Sequence, residues 1–165
     1  MPRAGVALAI IGIIIGASGL WFGYTAWSSQ AERQGFWYSS NEAIFTPTEL
    51  VYEVVPDMNI TLEIGSPVSL YLSFTSSARI LPDLTTFADI LFYFAIDGVR
   101  LSSPFTRVGP YQGNDTYDYH SVSLTHVIDV ASPGVHDFAI VVLSEIAGNF
   151  IRSSTFVIMS FPPPV

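Results

Sequence analysis

The chain has 165 residues, a formal net charge of −8 at pH 7, no cysteine and no lysine. An acidic chain of this kind repels phosphate backbones, which argues against nucleic-acid binding. The missing residue types exclude disulfides, thiolate nucleophiles, cysteine-type zinc sites and Schiff-base lysines, and the length allows one domain with its own core.

An apolar run, Ala4–Trp27, opens the chain and contains no charged side chain. As a helix, its roughly 24 residues would extend about 36 Å, which is enough to cross a hydrocarbon core of about 30 Å. Arg3 precedes the run, whereas the charges of Glu32 and Arg33 after it cancel. By the positive-inside rule, the amino terminus stays in the cytoplasm and the remainder is exported. We therefore predict a single-pass protein of the cell membrane, with the lipid bilayer as a partner.

The predicted organisation is an anchor over 1–27, a juxtamembrane tether over 28–35 and an extracytoplasmic domain over 36–165. Two alternatives to a retained membrane span remain: cleavage of the apolar run as a signal peptide, or pilin-like processing. Ala17-Ser18-Gly19 resembles a signal-peptidase site, and Arg3-Ala4-Gly5 resembles the processing site of archaeal pilins. A retained span fits best because the run continues beyond the length of about 7–15 residues that signal-peptide cores have.

Glycines recur along the predicted helix at Gly12, Gly16, Gly19 and Gly23. At about 100° per residue they share a narrow arc of one helix face. Small residues at this spacing let a second helix approach closely, although glycine is also common in spanning helices. We interpret the stripe as a helix-association surface, which predicts a homo-oligomer.

Beyond the tether the hydrophobic period is two, which is typical of strands. Val68–Thr75 alternates apolar and polar residues and predicts a strand with one buried face. Ile90–Ile96 is apolar throughout and predicts a central strand, and Asp97-Gly98 after it predicts a hairpin turn. The other predicted strands are 50–55, ended by Pro56, then 60–64, 99–101, 122–130, 135–143 and 155–161. Residues 76–86 and 104–119 are expected to be irregular.

About eight strands, with no helical periodicity after residue 28, predict an all-β antiparallel sandwich behind the membrane helix. In its second half, the segments Tyr93–Val99, Ser121–Val130, Pro133-Gly134 and Ser154–Ile158 are similar to jelly rolls of the tumour necrosis factor and complement globular-head kind. That resemblance implies a jelly-roll-like fold, a trimer, and recognition of partners through loops and subunit clefts. Many members of the family carry an amino-terminal membrane anchor. The resemblance transfers no binding residue to this chain.

Ser123, His126 and Asp129 suggest a catalytic triad, but a strand places the first and third on one face and the histidine on the other. His126 is expected to point inward. His136 is expected to pair with Asp129 across the turn at 131–134, provided that this turn closes a regular hairpin. With no nucleophile–base pair or paired carboxylates, we predict a protein that is not an enzyme and carries no cofactor.

Oxygen ligands gather in the long loop, where Asn114, Asp115 and Asp118, with His120 nearby, are calcium candidates. Their spacing matches no EF-hand, and an acidic, solvated loop is the competing interpretation. Asn59 and Asn114 each begin an Asn-x-Thr sequon and are possible glycosylation sites on an exported surface.

Together these features predict a membrane-anchored cell-surface module for adhesion or recognition, with a protein or glycan partner. The alternative function is a structural subunit of a pilin-like surface filament or of a surface layer, assembled through the glycine-striped helix.

Overall fold

The computed structural model describes residues 35–81, 89–109, 118–130 and 132–161. They belong to a unit that begins at Gly35. The strands of this part are β1 Phe36–Asn41, β2 Tyr52–Ile64, β3 Val68–Ile80, β4 Ile90–Ile96, β5 Val99–Val108, β6 Asp118–Val130, β7 Gly134–Ser144 and β8 Phe150–Phe161.

Within those ranges, no helix has the length and apolarity that crossing a membrane requires. The predicted anchor lies outside the described residues, together with the proposed helix-association positions Gly12, Gly16, Gly19 and Gly23. The membrane span and the association of its helices therefore stay predictions.

The strands form two four-stranded sheets, with orders β1-β8-β3-β6 and β2-β7-β4-β5. Every neighbouring pair is antiparallel. All connections change sheet except the one between β4 and β5, an arrangement that characterises a jelly roll. The predicted all-β antiparallel sandwich is confirmed for the described part of the chain.

Phenylalanine rings join the two sheets across the core. Phe74 of β3 lies 5.7 Å from Phe92 of β4, and Phe94 of β4 lies 6.0 Å from Phe156 of β8, measured between ring centroids. All four side chains are fully buried. Since each pair takes one ring from each sheet, the alternation of apolar residues along the strands is what holds the sheets together.

The hairpin between β4 and β5 follows the prediction. Ile96 pairs with Val99, and the two turn residues have positive φ angles, 51° at Asp97 and 76° at Gly98. That combination is the turn conformation that Asp-Gly favours between twisted strands. The prediction that β4 is central is also confirmed, since it lies between β7 and β5.

The two strands predicted on either side of Pro56 are one strand, β2, and that prediction was wrong. The register of β2 against β7 shifts between Val54 and Asn59, where the chain forms a bulge. A proline is tolerated there because β2 is an edge strand and its missing N–H breaks no ladder. Asp57 has a φ of 61°, and its carboxylate accepts a hydrogen bond of 2.9 Å from the Asn41 amide.

The predicted irregular stretches are shorter than expected. Residues 76–80 continue β3, 104–108 complete β5, and 118–119 begin β6. The Ser76 hydroxyl explains the first difference, because it is buried and lies 3.0 Å from the hydroxyl of Ser154. A buried serine whose hydroxyl is hydrogen-bonded inside the sandwich cannot be distinguished from a loop residue by sequence alone.

The buried position of Phe94 leads to a prediction about the stability of the core. Replacing Phe94 by alanine removes a ring that contacts Phe156, and is expected to lower the free energy of unfolding by about 3–5 kcal/mol. The matched control is Val127→Ala, at a side chain that is 59% exposed, for which a change within about 0.5 kcal/mol is expected. Urea unfolding measures both; similar losses for the two variants would contradict this assignment of the core.

Candidate functional site

An aromatic cluster with one arginine covers part of the outer face of the β2-β7-β4-β5 sheet. We call it the Arg100 platform, and its members are Tyr52, Tyr93, Arg100 and Phe105. Tyr93 pairs directly with Phe105 across β4 and β5. Tyr52 reaches the cluster from β2, on the far side of β7. Strands distant in sequence therefore supply one continuous surface.

The rings of the platform are in mutual contact. The Tyr93 centroid lies 5.8 Å from that of Tyr52 and 5.7 Å from that of Phe105. The Arg100 Cζ atom lies 4.6 Å from the Tyr52 ring centroid and 4.5 Å from the Tyr93 centroid, so the guanidinium makes cation–π contacts with both. Tyr52 is 48% exposed and Phe105 is 51% exposed, whereas Tyr93 between them is only 6% exposed.

The floor beneath the platform is apolar although it faces outward. Val141 and Ala95 lie on the same outer face and are buried, with Val141 directly opposite Tyr93 in the register of β4 and β7. The outer face of a sandwich sheet usually carries polar residues in alternation with its core. The unbroken apolar composition of β4 therefore reflects two apolar faces, of which only the inner one contacts the other sheet.

The positive charge of the platform, on the Arg100 guanidinium, is available to a ligand. In the described ranges, the Arg100 guanidinium forms no ion pair with a carboxylate. Burial raises the pKa of the Tyr93 hydroxyl, and the neighbouring Tyr52 phenol raises it further, against a lowering by Arg100. The Tyr93 hydroxyl therefore stays protonated at neutral pH. The platform offers neutral aromatic rings, a phenolic hydroxyl and a positive charge.

A second cluster of arginines and aromatic rings lies on the outer face of the other sheet. The Arg79 Cζ atom is 5.8 Å from the Tyr119 ring centroid and 5.2 Å from that of Phe150. Arg152 Cζ lies 5.0 Å from the same Tyr119 ring. Neither this cluster nor the Arg100 platform is visible in the sequence, because each combines strands whose pairing is set by the tertiary structure.

His136 does not pair with Asp129, and that prediction was wrong. Strands β6 and β7 lie in different sheets and therefore do not form the hairpin that this pairing required. Asp129 instead accepts a hydrogen bond of 2.6 Å from the Ser69 hydroxyl. The His136 Nδ1 atom lies 2.8 Å from Asp97 Oδ2.

The partners of His136 favour its charged form. Its Nε2 atom faces the carbonyl oxygen of Ser132 at 3.0 Å, and its Nδ1 atom faces the Asp97 carboxylate, so both nitrogens can donate only as the imidazolium. The hydrogen bond to Asp97 raises the pKa of His136, and the same bond lowers the pKa of Asp97. Asp97 Oδ1 also accepts from the Asp137 N–H at 2.9 Å. The pair therefore fastens the β4–β5 turn to β7.

Ser123, His126 and Asp129 do not form a catalytic triad. His126 points into the sandwich, where its ring stacks on Phe94 with centroids 6.4 Å apart. Ser123 and Asp129 are exposed on the outer face of the same strand. Strand β6 therefore separates His126 from Ser123 and Asp129, as the alternation predicted.

The described residues do not test the predicted calcium and glycosylation sites. Asn114 and Asp115 lie outside the described residues, and Asp118 is the first residue of β6. In the described ranges, no group of three or more His, Asp or Glu side chains is suited to hold a metal ion. Asn59 is exposed on β2 next to the bulge. Both sequons and the loop metal site stay predictions.

One prediction concerns the His136–Asp97 pair. The folded-state pKa of His136 is raised above its ordinary value of 6.5. The stabilisation that charged His136 gains from Asp97 is therefore complete below pH 6.5, and it is lost as the pH rises through the folded-state pKa. The melting temperature of wild type minus that of His136→Gln should therefore be larger at about pH 6 than at about pH 9. Both proteins keep His120 and His126, so the difference isolates the change at His136. A difference that does not vary with pH would contradict the ion pair.

Comparisons with known proteins support the fold and do not assign a family. No protein-family model matches the sequence, and a search of curated proteins finds no relative. The structure is similar to part of dimeric latent PorU from Porphyromonas gingivalis, with a TM-score of 0.56 and 6% identity over 78% of this chain and 12% of that chain.

Two weaker similarities lie below a TM-score of 0.5. The VP2 subviral particle protein of infectious bursal disease virus has a TM-score of 0.44 and 15% identity, over 77% of this chain and 32% of that chain. The CBM36-1 domain of a multidomain xylanase from the hindgut metagenome of Trinervitermes trinervoides has a TM-score of 0.36 and 10% identity, over 79% of this chain and 100% of that domain. At these identities the comparisons show a β-sandwich fold alone, and the resemblance to tumour necrosis factor jelly rolls stays a prediction.

Proposed function

We propose that this chain is a membrane-anchored, extracytoplasmic recognition module that binds a protein or glycan partner without catalysing a reaction. The observation that carries the proposal is the Arg100 platform. The uncharged run Ala4–Trp27 and the positive charge before it support the proposed location outside the cell.

The platform has the composition of a binding hot spot. Tyrosine and arginine are enriched among the residues that contribute most to binding, and such residues cluster in well-packed, desolvated centres. Tyr93 is such a centre, since neighbouring rings and Arg100 cover it while Tyr52 and Phe105 stay half exposed. A partner that covers these rings would remove a large apolar area from water without first rearranging the domain.

The exposed apolar surface continues beyond the platform. Val54 of β2 is 51% exposed and pairs with Val141, which pairs with Tyr93, so Val54 lies on the same outer face beside the platform. Leu50 and Val51, which precede Tyr52 in the chain, are 68% and 45% exposed. Single exposed hydrophobic residues are ordinary, whereas contiguous ones mark interaction sites. This extension brings the surface closer to the area of about 800 Å² that each partner buries in a standard interface.

Arg100 gives this surface a preference for acidic ligands. Arg100 is held on two tyrosine rings, so its donor groups are ordered before a ligand arrives. An ordered guanidinium without a carboxylate partner in the described ranges suits an acidic group on the ligand, such as a carboxylate of a protein side chain or of an acidic sugar.

The platform is tested by two variants and one matched control. Arg100→Gln and Phe105→Ser are each expected to weaken binding of the full-length protein to its cell-surface partner about tenfold or more. Arg152→Gln is the control, because it removes an exposed arginine that also contacts a tyrosine ring, on the other sheet. Binding is measured by retention of labelled cell-surface protein and glycan fractions on the immobilised protein in detergent. Equal retention by all four proteins would refute the proposed site.

Oligomerisation through the predicted helix is tested separately. Isoleucine at both Gly16 and Gly19 would prevent close approach of a second helix, so self-association in a membrane dimerisation assay should fall. Ala17→Ile with Ser18→Ile is the control, since these positions lie on other faces of a helix at about 100° per residue. Unchanged self-association in the glycine variant would remove this role, and filaments in electron micrographs would favour the alternative of a pilin-like subunit.

A further inference from the structure

We infer that one end of the β1-β8-β3-β6 sheet rests, by its outer face, on the headgroup region of a lipid bilayer. The inference rests on the proposed membrane anchoring and adds an orientation for the domain. The side chains that form this surface, which we call the interfacial patch, are Phe36, Tyr38, Tyr71, Val127, Met159 and Phe161.

The register places most of the patch in one row across the sheet. Phe36 pairs with Met159, Met159 with Tyr71, and Tyr71 with Val127, so one side chain comes from each strand. Paired residues project from the same face, and neighbouring strands are about 4.8 Å apart, so the row spans about 15 Å.

Four of the six patch side chains are exposed, and Tyr71 and Met159 are half-buried. Phe36 is 64% exposed, Tyr38 67%, Val127 59% and Phe161 47%. Phe36 and Tyr38 also lie against each other, with ring centroids 6.3 Å apart. Exposed aromatic and aliphatic side chains thus occupy one contiguous part of a sheet face, which is unusual for a surface that contacts only water.

The patch lies where the chain enters the domain. Strand β1 begins at Phe36, and its entry is fixed because the Ser160 N–H donates to the Gly35 carbonyl at 3.0 Å. The predicted span ends at Trp27. The eight-residue tether between them reaches at most about 28 Å when extended. An inserted run would therefore allow this end of the domain to lie no more than about 28 Å from the end of the span.

The distribution of charge along this face also favours lipid contact at the end that carries the interfacial patch. All six patch side chains are uncharged, and the exposed carboxylate of Asp129, which accepts a hydrogen bond from the Ser69 hydroxyl, marks the margin of the patch. At the other end of the face are Arg79 and Arg152 with their aromatic neighbours. Along β3, Tyr71 and Arg79 are about 26 Å apart at the usual rise per strand residue.

Lipid is the occupant that matches these observations. Tyrosine and tryptophan favour the headgroup level, and exposed phenylalanine and methionine gain from contact with the acyl boundary. The chain as a whole is acidic, so attraction to anionic lipid cannot hold it at a membrane. Apolar contact beside a covalent tether requires no such attraction.

The absence of native cysteine makes a site-specific test possible. Full-length protein is reconstituted into phosphatidylcholine vesicles with single cysteines, introduced as Ser18→Cys, Tyr38→Cys, Val127→Cys or Ser121→Cys, each carrying a fluorophore. Nitroxide lipids then quench labels that lie near the bilayer. Ser121 is the matched control, because it shares strand β6 and its outer face with Val127, about 20 Å away.

The expected result is strong quenching at Ser18 and several-fold stronger quenching at Tyr38 and Val127 than at Ser121. If Ser18 is quenched while Tyr38 and Val127 match Ser121, the inference is overturned and the anchor stands. Failure to quench Ser18 overturns the anchor and the inference together. Two patch positions on different strands keep the test valid if one labelled variant does not fold.

Discussion

Contact between phenylalanine rings of the two sheets is the interaction on which this domain depends. No disulfide can form, because the chain has no cysteine. The rings of Phe74 and Phe92, and those of Phe94 and Phe156, each pair one sheet with the other. Hydrophobic burial between sheets, together with the backbone ladders, must therefore supply the stability of the sandwich.

The same packing orients the candidate site. Phe92 and Phe94 point into the core, and a strand has a period of two, so Tyr93 between them must point outward. Once Tyr93 is fixed, Phe105 is placed beside it by the β4–β5 register, and Arg100 closes over it from the start of β5. The aromatic surface thus extends from the inner strand β4 to the two edge strands, β2 and β5, and its contacts exist before a partner binds.

The outer faces of the two sheets differ in what they offer. One carries the Arg100 platform on an apolar floor, and the other changes from the interfacial patch to the cluster of Arg79 and Arg152 along its strands. A domain with one face directed at lipid and the opposite sheet free would present its platform to partners outside the membrane. In that arrangement the anchor would set the orientation of recognition as well as its location.

The sequence by itself determined that the domain is built of strands and indicated the position of most of them, because alternation along a segment depends only on neighbouring residues. It predicted β4, its hairpin at Asp97-Gly98 and the inward direction of His126, and it indicated a sandwich. Only the tertiary structure decided which strands pair, and therefore that Pro56 lies in a bulge of one strand and that His136 contacts Asp97 rather than Asp129. The Arg100 platform depends on the same pairing, since Tyr52 and Tyr93 meet only after distant strands enter one sheet. Local periodicity carries no information on such contacts.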